Sequence, residues 1–238
     1  MLVLRLVSLL LVAIGGLVGC STAPPRADRA PAASPTAESV ETSPSPRAQA
    51  LGRAPEPLQR AGPPTSDGRP QMADLGIPVL GISGLRVVPY RGHTDDAPGT
   101  EIQDGGVAAS PFGPRGGVGP GGVGNYQVTA HRTSSTRAFE RLPALEMGER
   151  VVVETARHRY VYEITATRRT SFRSPRSLAE QRAAVPGRPG QEPTRAMITL
   201  STCATPEDHA VGNYWSDEFS NPEHRIDKIG VLVRTARR

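Results

Sequence analysis

The sequence predicts a mainly-β domain, a barrel or a sandwich, over residues 76–238 of a 238-residue chain. Three observations carry that prediction. Apolar runs are short, rich in β-branched and aromatic residues, and bounded by turn-forming residues. Stretches with helical character are few and brief. The connections are dominated by Gly and Pro, 25 and 24 residues in the whole chain, which punctuate strands rather than continue helices.

Taken in order, Ile77-Pro-Val-Leu-Gly-Ile is the first cluster able to enter a core, and it sets the domain start near residue 76. From Gly105 to Gly124 almost every residue is Gly, Pro or small, and the segment is predicted as loop. Asn125-Tyr-Gln-Val-Thr-Ala alternates weakly, as a strand does. Phe139-Glu-Arg-Leu-Pro and Ser177–Ala184 are the helical candidates. Val151-Val-Val-Glu-Thr followed by Tyr160-Val-Tyr-Glu-Ile-Thr reads as a hairpin. Met197-Ile-Thr-Leu-Ser-Thr-Cys and Ile226-Asp-Lys-Ile-Gly-Val-Leu-Val read as two further strands. Between hairpin and cysteine strand, Thr167–Arg195 carries seven arginines and four prolines and is predicted as a long loop.

Upstream of the domain the chain changes character twice. Residues 1–20 place Arg5 before an apolar run, Leu6–Val18. That run is short of the roughly 20 residues a spanning helix needs but suits a signal-peptide core. It ends Leu17-Val18-Gly19-Cys20, which resembles a bacterial lipobox. On that reading Cys20 is lipidated and becomes the mature N-terminus, with acyl chains as the membrane anchor. An uncleaved signal-anchor helix is the alternative. Either places the rest of the chain on the outer face of the cytoplasmic membrane. Residues 21–75 contain no aromatic residue and too few apolar ones to offset the entropy of ordering, so they are expected to form a disordered Pro/Ala/Ser-rich tether.

Composition narrows the function classes. The formal charge is +5, from 28 Lys and Arg against 23 Asp and Glu, and Lys228 is the only lysine. No arginine block is interleaved with aromatics, so nucleic acid is not an expected partner. The positive excess suits a domain held near an anionic wall or membrane surface. Cys20 and Cys203 stand in unlike surroundings, which excludes a disulfide framework.

Cys203 ends an apolar strand and opens into the polar run Ala204-Thr-Pro-Glu-Asp-His. A lone thiol in an exported domain is either a buried structural cysteine or a nucleophile, and a nucleophile needs an imidazole and an oxyanion donor nearby. Among the five histidines, His131 also sits where a strand ends. His158 is expected in a hairpin turn and His93 in a loop, while His209 and His224 flank the loop after the cysteine. Cys203, His209 and His224 do not have the spacing of a usual zinc set. Arg225 opens the last strand directly after that loop.

Here the residues resemble a family. Thr199-Leu-Ser-Thr-Cys203 is similar to the sortase TLxTC motif, and Arg225 with its apolar strand resembles the arginine strand that follows. Gly124-Asn-Tyr-Gln-Val-Thr-Ala-His131-Arg resembles the histidine segment of class E sortases, the actinobacterial group. Phe139-Glu-Arg-Leu, Leu145-Glu-Met-Gly-Glu and the Val151/Tyr160 hairpin extend the similarity, which covers residues 105–236. The resemblance implies a closed eight-stranded β-barrel with short helices and long loops, and a cysteine transpeptidase. Cys203 is then the nucleophile, His131 the proton carrier, and Arg225 the oxyanion and backbone donor. The substrate is a secreted protein with an LAxTG/LPxTG-like C-terminal sorting signal, cut between Thr and Gly. The acceptor is a peptidoglycan cross-bridge amine or a pilin lysine. Tyr126 matches a tyrosine linked to reading the signal, and Thr202 joins it as a substrate-binding candidate. No metal or organic cofactor is implied. Two departures stand out. Cys203 and Arg225 are farther apart than is usual, with Arg234 as the fallback arginine. The intervening loop, 204–224, carries Tyr214, Trp215 and Phe219, either as a lid or packed on the barrel. The lipobox is unusual for the group as well. Two other functions remain open: a thiol peptidase using water as acceptor, and a non-catalytic membrane-tethered binding module.

Overall fold

A computed structural model describes residues 65–238. The signal segment with Cys20 and nearly all of the tether lie outside the described residues. Eight strands run in chain order: β1 (Ala73–Ile77), β2 (Ile82–Arg91), β3 (Ala108–Phe112), β4 (Gly124–Thr129), β5 (Arg150–Glu154), β6 (His158–Ser171), β7 (Ala196–Cys203) and β8 (His224–Arg237). Three short helices connect them: α1 (Ala97–Asp104), α2 (Pro175–Arg182) and α3 (Thr205–Ala210). The strands close into a barrel in the order β1-β2-β3-β4-β7-β8-β6-β5. Neighbours are antiparallel except β2 with β3 and β4 with β7, which are parallel. Closure leaves no open sheet edge.

The barrel interior is built by alternation. Side chains at every second position of a strand point to the same face. Tyr126 and Val128 of β4, Ile198 and Leu200 of β7, and Tyr160, Tyr162 and Ile164 of β6 fill the interior with Leu75, Val87, Val151 and Val153. Phe139, Leu142 and Leu145, from the connection between β4 and β5, also join this core. The predicted Phe139 helix is reduced to a 3-10 turn at Leu142–Ala144, because Pro143 lacks the N–H that a longer helix would use.

β4 is buried along its whole length, on both faces. Its outward residues Asn125, Gln127 and Thr129 are polar yet buried, so something must cover them. The carbonyls of Gln181 and Ala183, at the end of α2, accept from Asn125 Nδ2, and Thr94 donates to Gln127 Oε1 at 2.7 Å. This polar stripe under α2 and the β2–α1 loop is the outer face of the barrel on which β7 and β8 carry their own polar residues.

Three features differ from the sequence reading. Ala108–Phe112, inside the segment predicted as loop, is β3; its small residues and Pro111 hide a strand held by pairing to β2. β6 runs to Ser171, well into the predicted Thr167–Arg195 loop, because it pairs with β8 as far as His224. The folded unit also starts upstream of residue 76: β1 begins at Ala73, and Ser66 bonds to the backbone of Pro120 and Gly121. Among the described residues no helix is long and apolar enough to cross a membrane.

Candidate active site

Cys203 is the last residue of β7 and Arg225 the second of β8, and the two are directly paired in the antiparallel ladder. Paired positions present their side chains to the same face, so twenty-odd intervening residues collapse to one cross-strand contact. Arg225 Nη1 donates to Cys203 Sγ. The longer Cys-to-Arg loop therefore does not displace the arginine. Arg234 pairs with Val161 farther along β8 and is not part of this site.

His131 comes to the same end of the barrel by a different route. β4 and β7 are parallel and their ladder ends with Thr129 beside Ser201; His131 lies two residues past that pair on one chain and Cys203 two residues past it on the other. The connection is maintained past the strand by Ala130 N–H to Ser201 O at 3.4 Å and Thr202 Oγ1 to Ala130 O at 2.8 Å. The imidazole is mostly covered, and its Nε2 lies 2.8 Å from Asp104 Oδ1 at the end of α1. Arg132 donates to the Cys203 carbonyl at 3.2 Å and holds Glu207 of α3 with both terminal nitrogens. The segment bearing the histidine thus also fixes the backbone of the cysteine.

The electrostatics are those of a buried thiol beside a buried cation. Burial pushes the Cys203 thiol up, Arg225 opposes that rise, and Asp95 adds to it. Burial disfavours the charge of Arg225, but Asp95, Cys203 and Asp227 outweigh it and hold the guanidinium above its ordinary value. Two residues along β8, Asp227 is raised by burial and restrained by hydrogen bonds from Ser201, Thr170 and Gln181, then by Arg225. Ser201 Oγ donates to it at 2.6 Å, Gln181 Nε2 at 2.9 Å and Thr170 Oγ1 at 2.5 Å. This carboxylate ties β6, β7, β8 and α2 together one step below the thiol.

The remaining candidates fall elsewhere. Tyr126 is 1% exposed and faces the barrel interior, its hydroxyl near Ser110. Thr202 is also on the interior side of β7, one residue out of phase with Cys203. The structure therefore does not bring these two onto the cysteine's face. His209 stacks on Tyr214, with ring centres 4.6 Å apart, and His224 Nδ1 lies 2.8 Å from Asp208. Among the described residues no group of three or more His, Cys, Asp or Glu side chains could hold a metal. In the 204–224 loop, Tyr214 and Phe219 are exposed, and Trp215 lies under the Arg173 guanidinium. Tyr214 and Phe219 are not packed into the barrel core.

Sequence reasoning missed Asp95, Asn221, Asp227, Asp104 and Arg132. Two of them left a signal: Asp227, an acid beside Lys228 in the strand Ile226–Val233, and Arg132, which closes the His131 motif. Asp95 and Asn221 are brought in by loops, and Asp104 by the end of α1.

A thiol, an imidazole and a guanidinium converging at the strand ends of a closed barrel define a cysteine nucleophile with its acid–base and anion-binding partners in place. The family model described as a sortase domain matches residues 77–215, which include His131 and Cys203. The chain belongs to the sortase family. Its fold is similar to that of the SrtA sortase from Actinomyces oris, at 20% identity and TM-score 0.54, covering 75% of this chain and 89% of the other. It is similar as well to sortase E1 from Streptomyces coelicolor, solved with a tripeptide in its active site, at 20% identity and TM-score 0.53, covering 74% and 94%. No curated protein matches the chain.

Proposed function

We propose that this sortase is an extracytoplasmic cysteine transpeptidase of the class E type. It cleaves an LAxTG/LPxTG-like C-terminal signal between Thr and Gly and passes the protein to an amine of the cell wall or of another protein. The single observation that carries the reading is the pairing of Cys203 with Arg225 across β7 and β8. The parallel β4–β7 register, which ends two residues before both His131 and Cys203, supports it.

In this mechanism the Cys203 thiolate adds to the Thr carbonyl. Arg225 holds the developing oxyanion with a donor already fixed in a buried site, where it acts most strongly. His131 gives its proton to the leaving Gly amine, and a thioacyl enzyme remains. His131 then takes a proton from the incoming amine, which attacks the thioester and restores the thiol. The raised thiol sets a requirement: Cys203 must give up its proton before attack. Cys20 carries the lipid anchor, and the segment after it gives the domain reach.

The test uses the full chain in detergent, an LAxTG reporter peptide and a glycine-based amine. Thr–Gly cleavage with a ligated product, lost in Cys203→Ala, supports transpeptidation. Cleavage without ligation supports a thiol peptidase instead, and an untouched peptide supports a binding module.

A further inference from the structure

We infer that Asp95 is the positioning residue for Arg225, setting the guanidinium against the Cys203 thiol from a loop on the far side of the barrel edge. The inference rests on the assignment of Cys203 and Arg225 as reacting groups. It concerns a residue outside the cysteine, histidine and arginine segments.

The contacts are specific. Arg225 is 2% exposed, and its two terminal nitrogens do different things. Nη1 points to Cys203 Sγ, while Nη2 donates to Asn221 Oδ1 at 2.7 Å and forms an ion pair with Asp95 Oδ2 at 2.9 Å. The Phe172 ring lies over the guanidinium, with its centre 5.0 Å from Cζ. Nη2 is therefore the fixed end of a planar fork whose other end meets the thiol. A guanidinium gripped at one end transmits that orientation to the other, because its nitrogens share one plane. Nε is buried and has no hydrogen-bond partner.

Asp95 is itself over-determined. It is 4% exposed and has φ of 58°, a left-handed conformation that Asp adopts more readily than most non-Gly residues. Gln103 Nε2 donates to its Oδ1 at 3.2 Å, and Asn221 Nδ2 to its carbonyl at 3.5 Å. The residues around it are tied down independently. Thr94 bonds Gln127 of β4, and Tyr90 Oη bonds the His93 carbonyl at 2.6 Å. Asp96 caps α1 through Gly99 N–H and accepts from His93 N–H at 3.0 Å. A turn that merely had to change direction needs no buried carboxylate. This one places a buried carboxylate 2.9 Å from Arg225 Nη2, with Arg182 the other cation on which it acts. The charged groups acting on the Cys203 thiol are Arg225 and Asp95; those acting on Arg225 are Asp95, Cys203, Asp227 and Asp217.

The experiment uses the full chain with Cys20→Ser, so that Cys203 is the sole thiol, and compares Asp95→Asn with the parent. Peptide cleavage should fall at least tenfold in kcat with KM changed less than threefold, at an unchanged melting temperature. The pH midpoint for iodoacetamide labelling of Cys203 should be displaced. Asp95→Asn combined with Asn221→Asp, which moves the carboxylate to the other anchor of Nη2, should recover most of the lost kcat. If Asp95→Asn does not fold, Gln103→Met, which loosens the carboxylate without removing it, should lower kcat in the same way. A kcat within twofold of the parent, a kcat that rises, or an unmoved labelling midpoint overturns the assignment. A parent that never cleaves the peptide, yet shows the displaced midpoint in Asp95→Asn, overturns the transpeptidase reading and leaves Asp95 in place.

Discussion

Asp227 is the most consequential polar residue of the barrel that does not touch the thiol. It is 1% exposed and accepts from Ser201, Gln181 and Thr170 on three different elements. Asp227→Ala strips the acceptor from the buried Thr170 and Ser201 hydroxyls and leaves Gln181 Nε2 only its bond to Ser201 Oγ, at about 1 kcal/mol or more for each bond lost. Removing a carboxylate whose burial is incompletely offset returns part of that, since burial still raises Asp227 in the fold. The net loss should be about 2–4 kcal/mol, and at roughly 2–4 °C per kcal/mol for a domain of this size the melting temperature should drop by about 5–15 °C. Asp227→Asn keeps an acceptor for Ser201 and Gln181 and a donor that the Thr170 hydroxyl can receive, so its loss at low pH should be small. The pH dependence has a definite sign. A carboxyl raised in the fold binds its proton more tightly folded than unfolded, so its contribution to stability is present at low pH. It declines as pH climbs from the ordinary Asp value towards the raised one. Asp227→Asn should therefore gain on the parent as pH rises through that window. Thermal denaturation of the three proteins from pH 3 to 8 measures both effects. An Asp227→Ala protein melting within about 2 °C of the parent would refute the reasoning.

Three further outcomes follow from the same geometry. Arg132→Ala removes the donor to the Cys203 carbonyl and the clamp on Glu207, so peptide cleavage should fall about tenfold or more while the core remains folded; unchanged kinetics would show that α3 needs no such clamp. Gly119→Ala would place a Cβ 2.0 Å from the Arg69 carbonyl oxygen. It should cost about 1–3 kcal/mol and make residues 65–72 sensitive to protease, whereas an intact, equally stable protein contradicts the docking of that segment. Iodoacetamide labelling of Cys203 should have a midpoint above the ordinary thiol value, because burial outweighs Arg225, and Arg225→Gln should move it higher still. A midpoint below the ordinary value contradicts the burial argument.

Strands with β-branched and aromatic content were legible from the chain alone: β5, β7, β8 and the first half of β6 lie where their residues place them. β3 was not, because Ala108-Ala-Ser-Pro-Phe has no strand signal of its own and is defined by its partner β2. α1 and α3 are short and polar, and each exists because a loop must return to the barrel at a set point. The same division holds at the site. Cys203, His131 and Arg225 end or begin strands within motifs, so a reader of the sequence can reach them. Asp95 and Asn221 meet Arg225 only after the barrel closes, and nothing in Thr94-Asp95-Asp96 distinguishes the buried carboxylate from the capping one. Tyr126 shows the converse. Its place in a motif suggested contact with substrate, while strand parity turns its ring into the core.

The central claim is that Cys203 forms a thioacyl bond to the Thr of a sorting signal. Intact-mass spectrometry of the full chain, mixed with an LAxTG peptide in the absence of any added amine, tests it directly. A mass increase equal to the peptide up to Thr, located on Cys203, lost in Cys203→Ala and discharged by a glycine-based amine, is the predicted result. A parent protein whose mass never changes, at any pH where the fold is intact, would contradict the account.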